Sequence, residues 1–415
     1  MSTPRLVLVE SNTSGTGRLF VRLARRLGLE PLLLATEPSR YAFVAEEAVD
    51  AIRIDTADRR PLLTLCRRLL SDGGLAGVLS SSDHYVAMAA HLAARLGLPG
   101  PRPLAVRRCR DKFRQRRRLH AAGVAVPAFR EALTPTEAVE AARTIGSSVV
   151  VKPVRGTGSV GVRLCRGASD VREHAEALLG QRSNERGLPV ASRILVEEYV
   201  SGPEYSIETF DGSIVGVTRK LLGPEPRFVE VGHDHPAPIA GSERESLEAH
   251  VRRGLVALGL GFGAAHVEVR VSPHGPRTIE VNPRLAGGFI PELVRLASGV
   301  DLVAASIARA TARPPPEDVA GHGAASIRFL IPPRAGVLVD ATGIEAARSL
   351  PGVVEAVLYR PPGQRVVLHG DFRDRIGHVI TVAVDADASA AAAAHALREV
   401  LLLVDGAAAL AEAVA

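Results

Sequence analysis

Short apolar runs alternate with helical periods along the first hundred residues. Leu6–Val9 reads as a strand, Gly17–Leu27 as a helix and Pro31–Ala35 as a second strand. A helix closes at Cys66–Leu70, Ala76–Ser80 is again strand-like, and Tyr85–Leu96 is a helix ended by Gly97. This alternation predicts a parallel, Rossmann-like sheet with helices on its faces. Breakers crowd Gly97-Leu98-Pro99-Gly100-Pro101-Arg102-Pro103, so residues 1–103 are expected to form an N-terminal domain.

The pattern then changes. Residues 104–123 read as one very basic helix closed by Gly123, and Thr134-Pro135-Thr136-Glu137 predicts the capped start of a helix running to Thr144. Ser148–Lys152 and Val162–Cys165 are strand-like and flank the glycine loop Gly156–Gly161. Three further strands are expected at Arg193–Glu197, Tyr205–Phe210 and Ile214–Thr218, then a helix at Glu243–Leu258. Residues 264–271 and 277–281 read as a hairpin joined by Ser-Pro-His-Gly. Pro314-Pro315-Pro316 marks another boundary, before a mixed α/β tail over 323–405 that ends in an alanine-rich helix.

Composition narrows the class. With 46% hydrophobic, 23% charged and 4% aromatic residues, the 415-residue chain is globular, not disordered, collagen-like or a disulfide mini-protein. A formal net charge of +6 permits anionic ligands without demanding nucleic acid. The cysteines Cys66, Cys109 and Cys165 are sparse and lack metal-ligand spacing, which predicts a reduced, cytoplasmic protein. The first residues show no basic, long-apolar leader, and no stretch approaches the roughly 20 apolar residues of a membrane helix, so no membrane partner is expected. Lys112, Lys152 and Lys220 are the only lysines among 51 basic residues, and Asn12, Asn184 and Asn282 the only asparagines. With so strong a bias toward arginine, each lysine is a candidate for a place where a compact ammonium is wanted and a planar guanidinium is not.

Two segments carry candidate chemistry. In Val149-Val150-Val151-Lys152-Pro153-Val154-Arg155-Gly156-Thr157-Gly158-Ser159-Val160-Gly161, the glycines fit a dinucleotide fingerprint by spacing, but a strand follows where that motif needs a helix. A glycine loop between strands reads instead as a flap over a polyphosphate, with Lys152 as a point charge. In Ala265-His266-Val267-Glu268 and Thr278-Ile279-Glu280-Val281-Asn282-Pro283-Arg284, neighbouring antiparallel strands bring Glu268, Glu280 and Asn282 together as a hard-oxygen set suited to phosphate-bearing Mg²⁺. Arg284 beside them suits a carboxylate or developing oxyanion. A weaker signal is Ile194–Ser206, where a strand runs into a turn that can offer backbone groups to an adenine edge.

The order basic helix, Lys–glycine flap, hinge, then Glu…Glu-x-Asn-x-Arg resembles the ATP-grasp superfamily, and within it the L-amino-acid ligases, carboxylate–amine ligases. The resemblance implies an α/β (α+β) fold: the Rossmann-like domain, an ATP-grasp core over 104–322 and a small C-terminal α/β domain over 323–415. The core would comprise a flap subdomain (about 125–200) and a metal-bearing subdomain (about 201–322). It implies ATP with Mg, for which Mn may substitute. Lys112 and Lys152 would hold phosphates under the flap residues Gly156, Thr157, Gly158 and Ser159. Glu197, Tyr199 and Val200 would form the adenine hinge, chiefly through backbone groups, and Glu204 the ribose contact. Glu268, Glu280 and Asn282 would bind metal, and Arg284 would serve the acyl phosphate and tetrahedral intermediate. Gly287 and Gly288 would lie in the acceptor-substrate loop, and His233, in a 232–237 loop, would line the substrate pocket. Amino-acid-like carboxylate and amine substrates, ADP and phosphate as products, and a homodimer are likewise implied. Lys220 is open between a phosphate contact and a surface lysine, and Arg328 between a substrate carboxylate and an ion pair. Ser14-Gly15-Thr16-Gly17 reads as a tight strand-to-helix turn facing the acceptor site.

Other readings predict different behaviour. The arginines of 107–118 suggest nucleic-acid binding, but with Phe113 alone as an interleaved aromatic they read as a solvated helix face. A kinase-like phosphotransferase lacks its His-Arg-Asp and Asp-Phe-Gly motifs here. A biotin-carboxylase-like or purine-type ligation keeps the fold and changes the reaction.

Overall fold

The computed structural model describes the chain except for residues 1–2, 14–15, 240, 318, 406 and 411–415. The turn expected at 14–17 therefore falls partly outside the described residues. Strands Asp50–Arg53, Glu30–Ala35, Arg5–Val9 and Leu75–Leu79 lie in that order in one parallel sheet. Their apolar runs follow from cover on both faces. Leu6 and Leu8 pack with Phe20 and Val21 of the helix Thr16–Arg26, and Val7 and Val9 with Leu62 and Cys66 of the helix Arg59–Ser71. Asp50–Arg53, not expected from the sequence, is an edge strand with no residue buried and so carries no apolar run.

A second sheet joins Phe129–Ala132, Ile194–Glu198, Ser148–Pro153 and Arg163–Arg166, all antiparallel. Helices Pro135–Ile145 and Ala168–Leu179 pack on it through Val139, Ala142, Val171 and Ala175. The Thr134 hydroxyl caps the first of these by accepting from Glu137 N at 3.1 Å, as the Thr-Pro-x-Glu pattern predicts.

The largest sheet is antiparallel and ordered Gly275–Asn282, Ala264–Ser272, Glu204–Phe210, Ser213–Leu222, Glu230–His235, Ala324–Leu330, Gly377–Ala383, Val353–Leu358. It crosses the boundary expected at 322/323, since Ala324–Leu330 is hydrogen-bonded to Glu230–His235. A further sheet, Arg365–Val366, Gly336–Thr342, Leu401–Val404 and Ala407–Leu410, closes the chain.

Two expectations are corrected. The basic helix of 104–123 is two helices, Pro103–Cys109 and Lys112–Ala121, because the buried carboxylate of Asp111 caps the second by accepting from Arg114 N at 3.0 Å. The segment 232–237, expected as a pocket loop, lies largely in the strand Glu230–His235. Gly232 through His235 are all buried, so the polar alternation that would betray a strand is missing.

Candidate functional site

A cleft of about 910 Å³, open to solvent, separates the second sheet from one end of the largest sheet. It gathers Lys112, Lys152, Gly156, Thr157, Gly158, Ser159, Glu197, Tyr199, Val200, Glu204, Glu268, Glu280, Asn282 and Arg284. Gly287, Gly288 and His233 do not line it. Gly288 (φ +58°) instead lies against His233, where an added Cβ would sit 2.6 Å from Nε2. His233 is fully buried in the large sheet, with neither ring nitrogen hydrogen-bonded. Burial, outweighing the attraction of Glu230, pushes its pKa down to about 3. Arg328 is likewise away from the cleft, donating to Asp234 Oδ1 at 2.7 Å, which decides for the ion pair.

On one side of the cleft cations exceed anions. Lys152, at the end of its strand, reaches the carboxylate of Glu197, which also accepts from Arg116 Nε at 2.5 Å. Burial lowers the Lys152 pKa, and the charges of Arg116 and Lys112 add to this against the pull of Glu197. For Glu197 burial acts upward, yet Arg116 and Lys152 hold its carboxyl below the ordinary range. Its strand lies between two others, so the backbone of Glu197 is inside the sheet and its contribution comes through the side chain. Arg116 was missed in the sequence because it sits in an arginine run. Yet Lys112, Gln115, Arg116 and Leu119 share a buried helix face, and that i, i+3, i+4, i+7 spacing was legible.

On the other side carboxylates gather around buried cations. Lys220 is buried and bonded to Glu204 (2.8 Å) and Glu230 (2.8 Å), with Glu268 at 3.4 Å. Burial opposes its charge, but the three carboxylates raise its pKa well above the ordinary value. Glu204 also accepts from Arg270 Nε at 2.8 Å, and against burial Lys220 and Arg270 bring its pKa to about 2. His266 bridges Glu208 (2.6 Å from Nδ1) and Glu268 (3.1 Å from Nε2), and despite burial these carboxylates lift its pKa to about 10.

Glu268 and Glu280 are direct cross-strand partners, as are His266 and Asn282. Lys112 Nζ meets Glu280 Oε1 at 2.9 Å and also donates to Gly156 O at 3.2 Å, linking the acidic strand to the flap. Arg284 follows Asn282 in a turn whose next residues, Leu285 and Ala286, pack into the core of the parallel sheet. It pairs with Asp83, which also accepts from Arg110 NH1 at 2.5 Å. Burial works against the Asp83 carboxylate, but Arg110 and Arg284 hold it well below the usual range. Asp83 too was missed, although it follows Ser80-Ser81-Ser82 beyond the carboxyl end of a parallel strand, a place where ligands bind in such sheets.

Models of three known families match this chain in order: ATP-grasp N-terminal domain over 21–100, ATP-grasp domain over 145–292, and L-amino acid ligase C-terminal domain 2 over 328–405. The chain belongs to the ATP-grasp superfamily. Its last matched domain is one named for the L-amino acid ligases. An uncharacterized protein of Sinorhizobium fredii is 40% identical over 378 residues, covering 91% of this chain and 78% of that one. Carnosine synthase 1 of Gallus gallus is 30% identical over 324 residues, covering 72% of this chain and 34% of its own length, so the chain spans about a third of that relative. The L-amino acid ligase from Bacillus licheniformis superposes with a TM-score of 0.80 at 20% identity, covering 98% of this chain and 100% of that one.

ATP-grasp enzymes use a divalent metal, and the residues here fit one. Asn282 Oδ1 is buried with no hydrogen-bond partner, an acceptor oxygen left free beside two carboxylates. Among the described residues no three His, Cys, Asp or Glu converge as a metal cluster. Two carboxylates and an amide leave coordination positions to substrate phosphates, the way Mg²⁺ is usually held.

Proposed function

We propose that the chain joins an amino-acid-like carboxylate to an amine, cleaving ATP to ADP and phosphate through an acyl phosphate. The observation that carries this reading is the free, buried Asn282 Oδ1 beside Glu268 and Glu280, facing two lysines and a glycine flap across one cleft. Lys112 and Lys152 would hold the phosphates, with Gly156, Thr157, Gly158 and Ser159 closing over them. Tyr199 and Val200 would border the adenine, and Glu204 the ribose. Glu268, Glu280 and Asn282 would hold Mg²⁺ or Mn²⁺, which when bound neutralises charge on the transferring phosphoryl group. Arg284 would stabilise the oxyanion formed when the amine attacks. Gly287 and Gly288 would lie in the acceptor-substrate loop, with His233 packed against Gly288.

The same reading takes 1–103, 104–322 and 323–415 as the functional domains, a homodimer as the assembly and the cytoplasm as the compartment. Three buried free thiols support a reducing environment. No helix of the described residues is long and apolar enough to cross a membrane. The test is a screen of amino-acid pairs for ADP and phosphate release, with mass spectrometry of the products. Amide formation with stoichiometric ADP is expected. ADP release that depends on bicarbonate and biotin, with no amide, would replace this reading by a carboxylase-type one.

A further inference from the structure

The flap is tied at three successive residues. Gly156 O accepts from Lys112 Nζ at 3.2 Å, and Thr157 Oγ1 lies 3.5 Å from Arg284 NH2. Both of these ties come from the cleft itself. The third does not: Gly158 O accepts from the backbone N–H of Phe372 at 3.2 Å, from the region matched by the C-terminal domain family. The Phe372 ring also covers Gly158, where an added Cβ would lie 2.4 Å from Cδ1. Gly158 has φ +62°, a conformation that favours glycine, and the ring above it leaves no room for a Cβ. Phe372 belongs to none of the hydrophobic clusters of the described residues and is 38% exposed, so core packing does not explain it.

The segment presenting Phe372 is braced. Asp374 accepts from His369 N at 2.6 Å and Gly370 N at 2.8 Å, and Asp371 accepts from Arg373 N at 3.0 Å. Arg375 anchors its end. It donates to Glu230 Oε2 at 2.5 Å and Glu230 O at 3.1 Å, with its guanidinium 4.1 Å from the Phe329 ring centroid. Glu230 is bonded to Lys220, and Lys220 to Glu204. One short loop thus touches the flap at one end and the buried charges under the cleft at the other.

We infer that residues 370–375 are a clasp that holds the flap closed, with Phe372 and Arg375 as positioning residues through which the C-terminal domain serves the reaction. This rests on the reading that the cleft takes nucleotide. With the clasp in place, water is kept from the acyl phosphate until the amine arrives. Without it, water takes the amine's place: the acyl carbon gains a water oxygen, phosphate leaves, and the carboxylate returns with ATP spent and no amide formed.

The test measures hydrogen exchange of the flap peptide 155–163 with and without Mg²⁺ and a non-hydrolysable ATP analogue, in wild type, Phe372→Ala and Phe372→Leu. The ratio of ADP to amide is measured alongside. Nucleotide is expected to slow flap exchange in wild type, Phe372→Ala to lose about fivefold or more of that slowing, and Phe372→Leu to recover much of it. The ADP-to-amide ratio should rise in Phe372→Ala at unchanged thermal stability. Equal protection in wild type and Phe372→Ala overturns the clasp and leaves the nucleotide reading standing. No protection in wild type removes the nucleotide reading and the clasp with it.

Discussion

Lys152 and Lys220 are buried in walls of the same cleft and keep opposite company. Lys152 shares one carboxylate, Glu197, with Arg116, so its side carries surplus positive charge. Lys220 faces Glu204, Glu230 and Glu268, whose charges are matched by Lys220, Arg270 and Arg375 in a balanced network. The pKa directions follow: lowered for Lys152, raised for Lys220. The same residue type is thus a charge held out to a ligand in one place and a brace in the other. The first side has positive charge to spare for an anion such as a triphosphate, and the second offers oxygen ligands, the free Asn282 Oδ1 among them, to a divalent cation.

The comparison breaks most sharply on stability. Lys220→Met removes the cation shared by three buried carboxylates, each of which keeps one other partner (Arg270, Arg375 or His266), and should cost about 3 kcal/mol of unfolding free energy in urea titrations. Lys152→Met leaves Glu197 its Arg116 partner and should cost on the order of 1 kcal/mol, while weakening ATP binding by about 1.5–3 kcal/mol in calorimetry. Equal stability losses in the two variants would erase the distinction. Next in size, Arg284→Ala should raise the chemical barrier by about 3 kcal/mol with nucleotide affinity kept, read from kcat and binding separately. On the acidic side, Glu280→Gln should leave ATP bound but abolish the Mg²⁺ response of ADP release.

Stability also depends on pH. Glu204 has its pKa lowered from 4.5 to about 2, so its contribution to stability is present above pH 4.5 and is lost as pH falls through that range. His266 is raised from 6.5 to about 10, so its contribution is complete below pH 6.5 and is lost as pH rises toward 10. Stability measured across pH should therefore fall on both limbs, and Glu204→Gln should make the acid limb shallower, with Glu197 and Asp83 still contributing to it, and leave the alkaline limb in place.

What the sequence made legible was the set of residues with strong local grammar. The glycine flap, the Glu268/Glu280 register and the Thr134 cap depend on neighbours in sequence or on one hairpin. What escaped it was pairing at a distance. Arg116 looked like one arginine among many until Glu197, 81 residues on, came beside it. Asp83 acquired meaning only from Arg284, 201 residues away. Glu230–His235 hid as a loop because a strand covered on both faces shows no alternation. The rarity of lysine was informative: Lys112, Lys152 and Lys220 all line the cleft.

The most direct measurement follows one oxygen atom. With a substrate pair taken from the ADP-release screen, the carboxylate is enriched in ¹⁸O and the released phosphate is examined by mass spectrometry. Attack of the carboxylate on ATP predicts one ¹⁸O in each phosphate and ADP as the sole nucleotide product. Unlabelled phosphate, or AMP with pyrophosphate, would contradict phosphoryl transfer to the carboxylate in this cleft.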